Sequence, residues 1–541
     1  MKYKSTLTRI LLILAAIYAI GTASASIFLN SFNSGQLSKD IKYRHDLERT
    51  PMGSEQLENI LIRPQGMAYK RPGTEFIANE RGKIIIPEVL GDYPLLREPE
   101  NQDDPGLTHI YAISSRNDLE QVKNAPTLDG YYLTQDIDLS GVDWDNEGIF
   151  FRGTLDGCGY SIQNMKQTIT DAPSAEGGGL FVQISGTDTV IANLTLSDVD
   201  ITTNNFAGSF TTFFGDGASM YNCHATGTIT LHSPAEPVET VYLTHIGGMI
   251  GSMYPFSLTE AGNIYDSTCS VNIVSGDTEG TAFSVGQIGG FIGRLNSKTN
   301  IQHCKAYGDV DVSGFSAKSE YIGGFLGYHV GSIGQIVIQD CNAYGDVRGD
   351  YYVGGFFGGY LSSASDGFIQ ECAAHGDVTA LEARAGGFAG TLSSSGKIYD
   401  CFAWGDVTAP QYAGGFAGRI ASNAAIWRVY SIGAVTGDAD VGGLVGDRYF
   451  SGIAPYSYWD TETSGQAESD LGTGYPTVTM KTKSTYVTWD FDDVWYMEYT
   501  PPGSEDLTGN PIRLIPFEYS TNDAYVLEFG HEYIGFLRSA Q

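Results

Sequence analysis

The stretch Cys401-Phe-Ala-Trp-Gly-Asp-Val407, followed by Ala413-Gly-Gly-Phe-Ala-Gly418, decides how the chain folds. Both phrases recur. The first returns as Cys304-Lys-Ala-Tyr-Gly-Asp-Val310, Cys341-Asn-Ala-Tyr-Gly-Asp-Val347 and Cys372-Ala-Ala-His-Gly-Asp-Val378. The second returns at Ile246–Gly251, Ile288–Gly293, Ile322–Gly327, Val353–Gly358, Ala385–Gly390 and Val441–Gly446. With Ala413 included, the starts lie 42, 34, 31, 32, 28 and 28 residues apart. Two strand-like phrases per period of about 30 residues, divided by glycine turns, predict a β-solenoid whose coils bury their apolar faces against one another.

Working outward from these phrases, the aliphatic residue three before each cysteine predicts coil starts. They fall at Ile162, Ile191, Met220, Asp266 (with Ile264 nearby), Ile301, Ile338, Ile369, Ile398 and Ile426. The fold class is therefore all-β: a right-handed parallel β-helix of about nine coils over 161–455. The longest interval, from Met220 to Ile264, predicts an outward loop. Parallel, in-register stacking puts equivalent residues in columns, so Met249, Phe291, Phe325, Phe356, Phe388, Phe416 and Leu444 should share one interior column. The paired glycines suit either a backbone turn with positive φ or coils too close for a Cβ.

Cys223, Cys269, Cys304, Cys341, Cys372 and Cys401 are expected in a second column, continued by Leu194 and Val429. Leu and Val at that position mark an interior apolar site. Stacked neighbours lie within a disulfide's reach, and a ladder of buried thiols behaving as small hydrophobes is the competing reading. No Cys-x-x-Cys or Cys-x-x-His occurs, so nothing points to zinc.

Strand alternation then sends other columns outward. Tyr307, Tyr344, His375 and Trp404 form an aromatic stripe, a candidate for ligand binding that competes with packing against a loop or partner. The Gly-Asp-Val corner supplies Asp309, Asp346, Asp377 and Asp406, a column broken by Ala434. Carboxylates one coil apart approach the spacing of a retaining glycosidase pair. They equally suit calcium, or serve as solvated turn acids. Calcium at these four residues is the single cofactor considered. His375 has no Ser or Cys phrase suited to nucleophilic catalysis, and His531-Glu532 has no second His four positions after the first, so no catalytic residue is assigned.

The flanks differ from the repeats. Residues 1–25 combine Lys2, Lys4 and Arg9 with the apolar run Ile10–Ile20 and the small residues Ala23-Ser24-Ala25, as an export signal would. If uncleaved, that segment is the chain's route to a membrane. Residues 91–107, with Pro94, Pro99 and Pro105, read as a linker. Residues 108–160 and 456–507 are expected to cap the solenoid. In the first, Ser114 or Ser115 caps a short helix that carries Leu119 and Val122. A net charge of −32 excludes nucleic acid as a partner, because a phosphate-reading surface is basic.

Two resemblances rest on particular phrases. Ser31-Phe-Asn-Ser-Gly-Gln-Leu-Ser38, Arg44-His-Asp-Leu47, Leu57-Glu-Asn-Ile-Leu-Ile-Arg-Pro-Gln-Gly66 and Arg71-Pro-Gly-Thr-Glu-Phe76 resemble the opening of tail or head–tail stabilisation proteins of short-tailed bacteriophages. Ile512–Ser520, Ala524–Gly530 and Tyr533–Phe536 resemble the next segments of that family, in the same order. The resemblance implies a small split β domain built from 26–90 and 508–541, with the solenoid inserted between its parts. The helix, Asp136-Ile-Asp-Leu-Ser-Gly141, Leu155-Asp-Gly-Cys-Gly-Tyr160, the Gly-Gly phrases and Tyr458-Trp-Asp-Thr-Glu-Thr-Ser-Gly-Gln466 resemble bacterial GLUG-repeat proteins. Those include surface adhesins and non-catalytic portions of some immunoglobulin A peptidases.

Together these readings predict a non-enzymatic, exported surface or virion-associated binding protein, secreted or held at the cell surface or in a virion. Its partner would be a glycan or a protein ligand, beside cell-surface or virion assembly partners. A polysaccharide-degrading β-helix enzyme and a purely structural phage tail component are the alternatives.

Overall fold

The computed structural model describes residues 110–497 apart from 123–129, 147–148, 170–176, 188, 233–243, 255–259, 277–284, 315–317, 332–335, 363–366, 394–396, 422 and 492–493. Beyond them it describes the strand backbones at 77–78, 84–85 and 514–516. All of these belong to the second of two units, Arg63–Gln541. The export signal, the linker, residues 233–243 and 255–259 of the Met220–Ile264 interval and most of the phage-like segments lie outside the described residues. The short strands Ile77–Ala78 and Ile84–Ile85 pair antiparallel with each other, and Leu514–Pro516 pairs antiparallel with Trp495–Met497.

From Ile110 to Tyr475 the described strands form a parallel β-helix. Eleven strands, from Ile110–Ile113 to Ala425–Trp427, form one face. Ten, from Phe150–Phe151 to Val445–Tyr449, form a second. The remaining strands, from Ile137–Asp138 to Thr473–Tyr475, form the third. The parallel ladder thus starts at Ile110–Ile113, inside the stretch expected to cap it. The short helix Arg116–Gln121 follows that strand; Ser115 is its N-cap and accepts the Asp118 N–H at 3.2 Å.

The interior is organised in columns. Phe210, Met249, Phe291, Phe325, Phe356, Phe388, Phe416 and Leu444 are fully buried. Phe291 through Phe416 stack ring on ring at 4.9, 4.7, 4.9 and 4.7 Å. Burying each ring stabilises the fold by about 2–3 kcal/mol and each stacked pair adds roughly 0.5–1.5. The Gly-Gly pair exists because of coil contact, and not because of positive φ. A Cβ on Gly248, Gly290, Gly324, Gly355 or Gly387 would lie 2.1–2.2 Å from the carbonyl oxygen of the equivalent glycine in the next coil.

Three expected alignments are corrected. Ile191 pairs with Leu155, while Ile162 pairs with Leu196 on the next face, so Leu155 begins the coil that Ile162 was expected to begin. Extra residues at Gly157–Tyr160 enlarge that corner and shift the spacing. Ile264, between Met220 and Ile301, holds the position assigned to Asp266. Consequently Cys269 lies in the alanine column with Ala225 and Ala306, and Ser267 stands between Cys223 and Cys304.

Ser267 also shows what the cysteine column does. Its hydroxyl donates to Tyr265 O at 2.8 Å, and the thiols of Cys304, Cys341 and Cys372 donate to the carbonyl two residues back at 3.1–3.2 Å. All seven cysteines are free and buried. Burial pushes the Cys223 and Cys269 thiols up to about 12.

Candidate functional site

The third face carries the columns that the sequence sends outward. Its strands at Asn342–Ala343, Ala373–Ala374 and Phe402–Ala403 alternate: the Ala side chain enters the core and the next residue leaves it. That next residue is Tyr307, Tyr344, His375 or Trp404, all half-buried. The structure brings the four together in one column. The Tyr307 and Tyr344 rings stack at 4.8 Å, Tyr344 and His375 at 4.5 Å, and Trp404 meets His375 edge-on at 4.8 Å. Stacking along the column turns ring faces toward each other. A ligand alongside therefore meets ring edges and phenol hydroxyls.

The column is not uniform along its length. Beyond the last coils the chain returns along this face as the segment from Met480 to Trp495. There Met480, Tyr486, Trp489, Val494 and Trp495 bury Ala373, Phe402, Tyr430 and Tyr458, and Trp404 packs against this cluster. Trp404 Nε1 donates to the Tyr430 hydroxyl at 2.8 Å. Trp495 Nε1 anchors the segment by donating at 3.0 Å to Asp400, itself paired in the interior with Arg428. The capping segment thus takes up Trp404, the packing reading of the stripe. Tyr307 and Tyr344 lie outside that cluster.

The aspartate column has its own structural account. Asp309, Asp346, Asp377 and Asp406 are exposed, and each Oδ1 accepts the backbone N–H of the equivalent residue one coil on. Asp346 N donates to Asp309 at 2.9 Å, Asp377 N to Asp346 at 2.8 Å, Asp406 N to Asp377 at 2.8 Å, and Ala434 N to Asp406 at 2.7 Å. Asn272 begins the series by accepting from Asp309 N. Ala434 ends it, since its methyl group offers no acceptor, while the backbone ladder itself runs on: Val435 N donates to Ser464 O in the cap as Val407 N does to Ala434 O. The glycine before each aspartate is required as well: a Cβ on Gly345, Gly376 or Gly405 would lie 1.9–2.1 Å from the preceding coil's glycine carbonyl. Gly-Asp is therefore a corner in which carboxylates close the coil-to-coil hydrogen bonding. Among the described residues no group of three or more His, Cys, Asp or Glu is placed to hold a metal ion.

A further column is one that sequence reasoning missed, although it stands at a fixed offset just before the Gly-Gly phrase. Tyr321, Tyr352, Arg384 and Tyr412 occupy the corner that leads into that phrase. Tyr321 and Tyr352 stack at 4.6 Å, and the Arg384 guanidinium lies 4.8 Å from the Tyr352 ring and 5.3 Å from the Tyr412 ring. Arg419 comes next, 4.6 Å from Tyr412 and 5.4 Å from Tyr449, with its Nε on Asp447.

Comparison with known proteins adds little to this geometry. No family model matches the chain. Halomucin of Haloquadratum walsbyi (strain DSM 16790 / HBSQ001) is 31% identical over 159 residues, 26% of this chain. That match spans 2% of the length of halomucin. A crystal structure from Bacteroides ovatus named for immunoglobulin A1 protease is 16% identical, covering 73% of this chain and 90% of that one. Its TM-score is 0.35.

Proposed function

We propose that the protein is a non-enzymatic binding rod, exported to a cell surface or carried on a virion, that holds a glycan or protein ligand along the third face of its β-helix. In this reading its coils are GLUG-type repeats, framed by segments of the short-tailed phage type. One observation carries the binding role. The Tyr307–Tyr344–His375 column repeats from coil to coil on an outward face without any backbone requirement for aromatic side chains. The neighbouring Gly-Asp corner is by contrast fully explained by coil-to-coil contacts. Phenol hydroxyls and ring edges, with exposed carboxylates two residues further on, suit a ligand rich in hydroxyl or amide groups. The carboxylates serve as acceptors, since each already holds a backbone N–H through Oδ1.

The test is a glycan and peptide array probed with the full chain, wild type against Tyr307→Ala and Tyr344→Ala. Loss of one ligand class in both variants, with unchanged circular dichroism, supports the strip. Unchanged binding in both rules it out, and release of reducing sugar from any bound polysaccharide would replace it with the enzymatic alternative. Trp404→Ala is a poor probe, because it also loosens the capping segment. Mass spectrometry of the native N-terminus addresses export: a start at Ser26 supports it, and Met1 retained in purified particles supports a virion component.

A further inference from the structure

Two corners of each coil hold residues in the left-handed backbone region, and they are filled differently. At the corner before the cysteine column stand Asn193, Asn222, Asp266, His303, Asp340, Glu371, Asp400 and Arg428, with φ between 48° and 56°. Five of these eight are Asn or Asp, whose short side chains tolerate that conformation. At the corner before the Gly-Gly phrase stand Gln287, Tyr321, Tyr352, Arg384, Tyr412 and Asp440, with φ between 53° and 66°. There the backbone asks for Gly, Asn or Asp, and four consecutive coils carry Tyr or Arg. A local preference overridden in several coils running calls for a reason outside the backbone.

The side chains supply one. Arg384 is sandwiched between the Tyr352 and Tyr412 rings. Stacking uses the faces of the guanidinium and leaves its N–H edge. Its Nε is buried without a hydrogen-bond acceptor, and among the described residues no carboxylate pairs with it. Glu382, two residues before it, is engaged by Lys318. Arg419, one coil further, is held by Asp447 between Tyr412 and Tyr449, and the Tyr449 side of the column is exposed. In a chain of net charge −32, a pre-positioned guanidinium with no counter-charge, flanked by phenol hydroxyls, is a site that favours an anion.

We propose that this corner binds an acidic polysaccharide. Arg384 receives a carboxylate at its N–H edge, the Tyr352 and Tyr412 hydroxyls bond the adjoining sugar hydroxyls, and the exposed Tyr449 extends the contact. Donors that repeat at roughly 4.8 Å per coil fit a polymer that presents its groups at intervals. The dense phosphates of a nucleic acid would meet the overall negative field of the chain. The site uses other residues than the Tyr307–Tyr344 strip, so either stands if the other fails.

The experiment is equilibrium binding of the full chain to polygalacturonate and to its methyl-esterified form, which keeps the rings and removes the charge. The expected result is tighter binding of the free acid by about tenfold or more, weakening with salt, as loss of a charge-assisted hydrogen bond implies. Arg384→Gln loses about tenfold, and the double variant Tyr352→Phe/Tyr412→Phe loses a few-fold while keeping the stack. Should Arg384→Gln fail to fold, the double variant decides. The proposal is overturned by absence of binding to polygalacturonate, by equal binding of the ester, or by tighter binding of poly-glutamate or single-stranded DNA. Unchanged affinity in folded Arg384→Gln, or in the double variant, overturns it as well.

Discussion

Phe325, Phe356 and Phe388 stack inside the β-helix at 4.7 and 4.9 Å, and Tyr307, Tyr344 and His375 stack outside it at 4.8 and 4.5 Å. The distances match because coil register sets them, whatever the rings are doing. A column of like residues at coil spacing is therefore no evidence of a ligand in itself. Inside, burial explains the ring. Outside, each column needs its own account. The aspartates have one, in the N–H of the next coil, and the glycines have one, in the next coil's carbonyl. The outward tyrosines and the Arg384 corner lack a backbone reason, and for that they carry the functional proposals.

The interior side of the contrast breaks most sharply at a glycine. In Gly324→Ala the new Cβ would sit 2.2 Å from Gly355 O, a backbone atom that cannot move without displacing a coil. The expected loss is about 4 kcal/mol or more, or failure to fold. Gly465→Ala, where φ is +68° and nothing lies within 4 Å, should cost only about 1 kcal/mol. Thermal melts of the two variants check the difference, and similar costs would mean that coil contact is not what selects the paired glycines.

A smaller effect comes from a polar ring placed inside. His329 is fully buried, stacks on Tyr360 at 4.8 Å, and has an Nδ1 without a hydrogen-bond partner. Burial lowers its pKa to about 3 from an ordinary 6.5. The unfolded chain therefore takes up a proton first as pH falls. The His329 contribution to stability is complete above about pH 6.5 and is lost progressively down toward the folded value, about 2–3 kcal/mol by pH 4.5. His329→Leu, which continues the column of Leu295 and Leu392, should flatten the fall in melting temperature between pH 7 and pH 4.5. An identical pH profile in wild type and variant would show that the ring is not buried as described.

On the outside, Asp346→Ala removes the acceptor for Asp377 N–H and should cost about 1 kcal/mol, while Asp346→Asn keeps an Oδ1 and should cost much less. Melts with and without calcium sharpen the point. A ladder predicts no calcium dependence, whereas a rise in melting temperature confined to wild type would return the column to cation binding. Smallest of all is Ala434→Asp. The ladder has already ended there, so the change should stay within about 0.5 kcal/mol. A clear gain in stability would show that the series extends into the cap.

The repeating Gly-Gly phrase and the apolar residue after it were enough to predict a parallel β-helix and the membership of the phenylalanine column, because both depend only on period and hydrophobicity along the chain. The cysteine column was legible in five of its coils and misassigned at Cys269, where the corner keeps its length but Ser267 takes the place of the cysteine and Cys269 that of the alanine two residues on. A single sequence registers spacing but not which strand faces which, and Ser267 for Cys is invisible until the coils are laid together.

By itself the sequence determined that coils would stack and which residues would repeat, since a chain of amphipathic strands of constant period has few other ways to bury its apolar side. Tertiary structure alone decided what each repeated side chain touches. The Asp Oδ1 atoms find their N–H partners in the next coil, Trp404 packs against a segment that returns from some 80 residues later, and Arg384 lies between rings from the coils on either side. Each of those contacts joins residues far apart in the chain, and the partner cannot be read from either residue's own surroundings in the sequence.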